Sequence, residues 1–394
     1  MPHRGKGSVA KNSNKRMHII IKISFLIIVQ LTSLLQVVAQ KPWKKGILVD
    51  EFIYDTASYP ECHASTIAET PAGLVAAWFG GTKERNPDVE IWLSRMENNK
   101  WTKGVSVANG IVNDKLRYPC WNPVLFQVPD GDLLLFYKIG PSPSTWKGWM
   151  KTSTDNGKTW SAAKALPEGF IGPVKNKPVL LSNGVLLSGS STEGNGWRVH
   201  FESSSDLGNT WTMIGPINDG KTTNAIQPSI LIHKNGKLQI LARSKDRAIM
   251  QAWSSDLGKT WSALTPTTLP NNNSGTDAVT LKDGRQLLVY NHVLPPDSVK
   301  NGKGARTPLN LAYSSDGITW YAAAILEDSP ISQYSYPSII QSKDGMVHIV
   351  YTWRRKKIKY VKVDPKKLMG KKIIDGKWPA MKGYTAPKSV EVED

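Results

Sequence analysis

The chain is 394 residues long, carries 50 lysines and arginines against 32 acidic residues, and has a formal charge of +18. An excess of this sign points to an anionic partner, yet no aromatic-and-basic motif of the usual nucleic-acid-binding kinds is present, so no nucleic acid is expected. There is no Cys/His spacing of the zinc type and no phosphate loop, so neither a metal nor a nucleotide cofactor is expected.

The N-terminus reads as a targeting segment. Arg4, Lys6, Lys11, Lys15, Arg16 and Lys22 precede an apolar run from Ile23 to Ile28, continued through Leu31, Leu34, Leu35, Val37 and Val38. Val37-Val38-Ala39 before Gln40 has the small residues of a cleavage site. Residues 1–39 are therefore expected to be a signal peptide, with Met17 as an alternative start. The mature protein is expected to be secreted or, in a bacterium, periplasmic. An uncleaved anchor is the rival reading, opposed by Lys22, Gln30 and Gln36 inside the run. No later stretch is apolar enough to span a bilayer, so no membrane contact is expected after cleavage. Export would permit a disulfide between the only two cysteines, Cys62 and Cys120. A bridge and two buried thiols both remain open.

Beyond residue 45 the chain repeats. Each repeat opens on a β-rich strand of small residues, turns, and continues in a second apolar strand. The turns are Pro71-Ala72-Gly73, Asp130-Gly131, Asn183-Gly184, Asn235-Gly236, Asp283-Gly284 and Asp344-Gly345, strong hairpin signals between apolar runs. A third strand then leads into a recurring box. Residues 153–160 read STDNGKTW, 204–211 SSDLGNTW, 254–261 SSDLGKTW and 314–320 SSDGITW, with a worn copy at 94–101. The carboxylate and glycine suit a tight corner, and the tryptophan can fold back beneath it as an apolar plug. The period of about 50 to 60 residues is that of propeller blades. The last repeat, from Tyr334, has no box and too little chain for four strands. Residues 45–54 are strand-like and can close it, which removes the free edge. The expectation is an all-β, six-bladed β-propeller over residues 40–365, with 366–394 a loose basic C-terminal extension. A monomer is expected.

In such a fold, function collects where the innermost strands converge and in the loops above them. The residues there are Glu61 and His63, the charged loop 80–88, Lys175 to Lys177, Glu193, Gln227, Arg243, Asp277, Arg306, Tyr334 and Tyr336. The run from Arg354 to Lys357 reads instead as alternating strand residues with a solvated face.

The boxes look like the Asp-boxes of sialidases. The region from about residue 47 to 363 resembles the bacterial sialidase (neuraminidase) superfamily, in particular its "predicted neuraminidase" branch of BNR-repeat proteins. That resemblance implies three arginines clamping a substrate carboxylate, an aspartate as general acid/base, and a tyrosine nucleophile helped by a glutamate. Arg243, at the end of a second strand, resembles the second clamp arginine. Arg306, ahead of Leu309-Asn310-Leu311 and a box, resembles the third. Tyr334 in Gln333-Tyr334-Ser335-Tyr336 resembles the nucleophile. Asp88, with Glu84 as the lesser choice, occupies the acid/base loop. Two positions depart from the pattern: His63 stands where the first arginine belongs, and Gln227 where the assisting glutamate belongs. Glu193 or Asp277 would then have to stand in for that glutamate.

The implied activity is a secreted exo-glycosidase removing a terminal acidic sugar, sialic acid or a relative, from glycans. Tyr334, Asp88, His63 and Asp277 are its expected catalytic groups. Arg243, Arg306, Glu61, Gln227, Lys177 and Glu193 are its expected substrate contacts. The departures leave two alternatives open. One is a lyase or glycosidase for uronate-containing polysaccharide, working through His63 and a tyrosine. The other is a non-catalytic glycan-binding propeller.

Overall fold

Six antiparallel sheets of four or five strands follow one another along the chain in the computed structural model, one blade after the next. Residues 1–3 and 41–388 are described, so the expected signal peptide lies almost wholly outside the described residues. The chain divides into two units, Met1–Lys41 and Pro42–Asp394, and the six blades belong to the second. No α-helix occurs among the described residues. The innermost strands of blades one to six are Glu61–Thr70, Cys120–Gln127, Val179–Leu180, Ala225–Ile232, Asp277–Thr280 and Tyr334–Gln341.

The blades form where the sequence places apolar runs between turns. The second strand of blade four, Leu238–Ser244, is buried along its whole length, as a strand covered on both faces must be. Ile47–Phe52 pairs antiparallel with Lys357–Val363, so a strand from the N-terminal side closes the last blade as expected.

The boxes act as staples. In blade four the Asp256 carboxylate accepts the Thr260 amide at 3.0 Å and the Thr260 hydroxyl at 2.6 Å. These bonds, with one from Ser254, hold its pKa down to about 2. Trp261 folds back to donate to the Gly258 carbonyl at 3.0 Å. Its ring stacks on Phe201 of blade three at 4.2 Å between centroids. The corner of one blade thus packs on the face of the blade before it.

Two expectations are settled by packing. Cys62 and Cys120 are buried free thiols rather than a bridge. Burial pushes the Cys62 thiol up to about 12, even though Tyr54 donates a hydrogen bond to its sulfur at 3.1 Å. The C-terminal extension is not loose. Lys371–Lys372 adds a fifth strand to blade five, the Ile373 amide donates to the Trp320 carbonyl at 2.9 Å, and Trp378 meets His292 edge-on at 5.1 Å. Apolar residues hidden among the lysines, Ile373 and Trp378, seat it on the rim.

That docking has a pH signature. Burial lowers His292, bonded to the Gly376 carbonyl, to about 4. His348, between Ser342 and Tyr360, is also lowered to about 4, by burial first and then by Lys362. Between pH 4 and the ordinary value of 6.5 the unfolded chain binds protons that the folded chain does not. Stability therefore falls with acidification across that window, by about 1.4 kcal/mol per unit of difference at each site before any relaxation. The thermal midpoint should drop from pH 7 to pH 4.5, and His292→Gln with His348→Gln should flatten that slope.

The inner strands share one irregularity. Ala64, Asn122, Gln227 and Tyr336 take positive φ, and the ladder slips by one residue at each of these places. These are β-bulges, which re-aim a side chain and increase the local twist. Three are followed by proline, at Pro123, Pro228 and Pro337, a residue that sheets accept at bulges.

Candidate active site at the propeller axis

The bulge in blade six decides which tyrosine faces the axis. In an unbroken strand Tyr334 and Tyr336 would point to the same face. The ladder slips between Ser335 and Ser338, and Tyr336 sits at φ +52°, so the two rings part. Tyr334, expected as the nucleophile, is fully buried in the core with Leu309, Leu326 and Tyr351. Its hydroxyl accepts from Arg354, 3.3 Å from Nε and 3.2 Å from Nη2. That expectation is corrected by the bulge: Tyr336 is the tyrosine that meets the arginines.

Cations from several blades gather around Tyr336. Arg243 Nη1, from blade four, donates to its Oη at 2.6 Å. The guanidinium carbon of Arg306, ahead of the third strand of blade five, lies 5.9 Å from its ring centre, and Lys175 Nζ of blade three lies 5.8 Å away. The His63 ring of blade one packs against it at 4.1 Å between centroids. His63 is buried, and its pKa falls well below 6.5. Burial is the main cause, followed by Arg355, Arg306, Arg243 and Lys175. Burial and the neighbouring guanidiniums of this axial cup thus favour the neutral imidazole, and burial also lowers Lys175, to about 7.

Arg243 is held from several sides. Gln227 Oε1 accepts from its Nη1 at 3.3 Å, and Asn273 accepts from Nη2 at 2.8 Å through Oδ1. Its Nε is buried and has no partner. Its guanidinium lies 4.9 Å from the centre of the Trp197 ring, and Lys245 Nζ lies 4.5 Å from the same ring. A guanidinium already fixed by its neighbours loses little freedom on meeting an anion.

The BNR repeat-like domain family matches residues 72–349. The chain belongs to that family. No curated protein matches it. Among solved structures it is similar to a protein of unknown function from Dyadobacter fermentans, with 18% identity and a TM-score of 0.65 over 81% of this chain and 99% of that one. It is similar to the intramolecular trans-sialidase of Ruminococcus gnavus, with 14% identity and a TM-score of 0.64 over 81% and 97% of the two chains. The NanB sialidase of Streptococcus pneumoniae follows, with 13% identity and a TM-score of 0.60 over 85% and 73%. At these identities the likeness is one of fold.

In this BNR-repeat propeller other expected residues have different work. Asp277, expected to be catalytic, is fully buried beneath the cup. It accepts from Ser229 Oγ, from the Ile339 amide and from Lys177 Nζ, each at 2.9 Å. Lys177, expected at the substrate, also donates to the Ala278 carbonyl at 2.9 Å. Both groups are taken up in joining blades three to six. Asp88 is exposed and caps its own loop, accepting the Thr82 amide at 2.8 Å and the Thr82 hydroxyl. Glu61 opens its strand half-buried, with no side-chain hydrogen bond or ion pair among the described residues. Gln227 positions Arg243 instead of assisting the tyrosine hydroxyl.

Two residues were missed from sequence. Arg355 sits in the turn between Val347–Trp353 and Lys357–Val363 at φ +53°, is ion-paired to Glu84 of the blade one loop, and bears on His63. It belongs to the cup, not to a solvated face. Trp197 carries both Arg243 and Lys245. The signal that could have found Tyr336 is the repeated residue-before-proline at Asn122-Pro123, Gln227-Pro228 and Tyr336-Pro337.

Proposed function

We propose that this protein is a glycoside hydrolase that removes a terminal acidic sugar, sialic acid or a related one, with Tyr336 as its nucleophile. The observation that carries this reading is the convergence of Arg243 and Arg306 on one tyrosine at the axis. The sugar carboxylate would lie on Arg243 and Arg306, with Arg355 adding charge at the rim. The anomeric carbon would then face Tyr336 Oη. A phenol suits this attack, since an ionised carboxylate would be repelled by the anionic sugar. No carboxylate hydrogen-bonds Tyr336 Oη among the described residues, so the phenolic proton needs another acceptor. His63 lies against the ring and is neutral. The arriving carboxylate offsets the cations that make imidazolium costly there, and His63 then takes the proton. The N-terminal segment supports an exported enzyme acting on glycans outside the cytoplasm.

The neutral His63 against Tyr336 also supports a second reading, a lyase in which this pair moves the protons of a uronate held by the same cations. One assay separates the two. The mature protein is incubated with aryl glycosides of acidic sugars and, separately, with uronate polysaccharides. Release of the aryl group supports the hydrolase. Ultraviolet absorbance of an unsaturated uronate supports the lyase. Binding without either product leaves only a glycan-binding propeller.

A further inference from the structure

Arg243 and Arg306 come from different blades, and a tract of three asparagines lies between them. Residues 271–276 lead from Thr265–Pro270, the outer strand of blade four, to Asp277–Thr280, the innermost strand of blade five. Connecting segments ordinarily run over the surface. Here Asn271, Asn272 and Asn273 are all buried, and each side chain reaches a different piece of the molecule.

Asn271 anchors the tract. Its Oδ1 accepts the Ser244 amide at 3.0 Å and the Asn273 amide at 3.2 Å, so the tract is tied to the residue that follows Arg243. Asn273 faces both ways. Its backbone carbonyl and its Oδ1 both accept from Arg243 Nη2, the second at 2.8 Å. Its Nδ2 donates to the Asn301 carbonyl at 2.7 Å, in the loop between Gln286–Tyr290 and Leu309–Ser314 that carries Arg306. Asn273 takes φ +61°, a conformation asparagine adopts more readily than most side chains. Asn272 reaches the far end of that same loop. Its Nδ2 donates to the Ala305 carbonyl at 2.6 Å, and its backbone carbonyl accepts the Gly304 amide at 3.2 Å. Arg306 follows directly, with Nη1 donating to Gln333 Oε1 at 2.7 Å. One tract therefore holds the side chain of one arginine and the backbone that leads into the other.

We propose that Asn272 and Asn273 are positioning residues that set the two guanidiniums for a single carboxylate. Asn273 directs Arg243 through its side chain, and Asn272 directs Arg306 through the loop backbone. Neither touches the sugar. This rests on the carboxylate grip of the proposed function. A guanidinium grips a carboxylate through the direction of its N–H groups as well as through its charge. A misdirected arginine keeps the charge and loses the hydrogen bonds. An aspartate at 273 would keep an acceptor for Arg243, lose the donor to Asn301, and neutralise the guanidinium that the substrate needs.

The test is titration calorimetry of the mature protein with sialic acid and with glucuronic acid, each against its own methyl ester. Asn273→Gly suits φ +61° and keeps the backbone carbonyl, so it removes only the side-chain bonds. It should lower the preference for acid over ester on the order of 3- to 10-fold, and Asn272→Ala on the order of 3-fold, with ester affinity within about twofold of wild type. Ser274→Ala is the control from the same tract, because the Ser274 hydroxyl is buried without a hydrogen-bond partner; its preference should match wild type. A merely structural role would lower the thermal midpoint and weaken acid and ester together, and that result overturns the proposal. So does an equal loss of preference in Ser274→Ala. If Asn273→Gly or Asn272→Ala fails to fold, Asn273→Ser or Asn272→Ser is held to the same expectation. If the wild type prefers neither acid over its ester, the carboxylate grip itself has failed and takes this inference with it. If the wild type prefers an acid and both variants keep that preference, only the role of the asparagines has failed.

Discussion

Replacing Tyr336 with phenylalanine is expected to lower turnover of an acidic-sugar glycoside by at least about a thousandfold, with substrate affinity retained. The variant loses one oxygen. Arg243 keeps Gln227 and Asn273 as acceptors, so the clamp stays in place. Tyr334→Phe is the matched control. It removes a hydroxyl bonded to Arg354 inside a packed core, at a cost of about 1 kcal/mol in stability. Its kcat should stay within a few-fold of wild type. Steady-state kinetics on the two variants decides between the tyrosines. If Tyr334→Phe were the dead variant, the bulge would not have the consequence given to it here.

The largest stability effect is expected at Asp277. Its carboxylate receives an amide, a hydroxyl and an ammonium in a site with no solvent exposure. Asp277→Ala leaves the Ile339 amide without this acceptor and the Lys177 ammonium without its counter-charge. Breaking a buried pair from one side costs about 3–5 kcal/mol, a large share of the roughly 5–15 kcal/mol that holds a typical domain together. Thermal or denaturant unfolding should show this directly. Lys177→Met added to Asp277→Ala should recover part of the loss, because the double variant no longer buries an unpaired charge. If Asp277→Ala unfolded like the wild type but had lost turnover, Asp277 would be a catalytic group after all.

The architecture was legible because its signals are local. A box such as residues 254–261 contains the whole of its own hydrogen-bonding, from the Asp256 carboxylate to the Trp261 plug. Turn dipeptides such as Asn235-Gly236 mark their hairpins for the same reason. The site was legible only in part. Arg243 and Arg306 end or precede regular strands, and their direction follows from strand position. Tyr334 and Tyr336 could not be told apart by a period of two, because one inserted residue reverses the face. Arg355 was set aside with its lysine neighbours, since a positive φ in a three-residue turn leaves no periodic trace. Asp277 and Glu193 both looked like acids near the axis. Full burial marks Asp277 as a tie between blades, while Glu193 stays half-buried in the loop that follows Leu186–Thr192. The docked C-terminal strand was hidden for another reason: seven lysines between Lys366 and Lys388 outvote Ile373 and Trp378 in composition, while those two side chains decide the packing.

The claim on which the enzyme reading depends is that the axial cup grips a carboxylate. The most direct measurement is the affinity of the mature protein for a free acidic monosaccharide against the methyl ester of the same sugar, by titration calorimetry. Charge-assisted hydrogen bonds of about 1.5–3 kcal/mol predict that the acid binds on the order of 10- to 100-fold more tightly than the ester, and that Arg243→Ala and Arg306→Ala each remove most of that preference. Equal affinity for acid and ester, or a preference that survives both substitutions, would contradict the account.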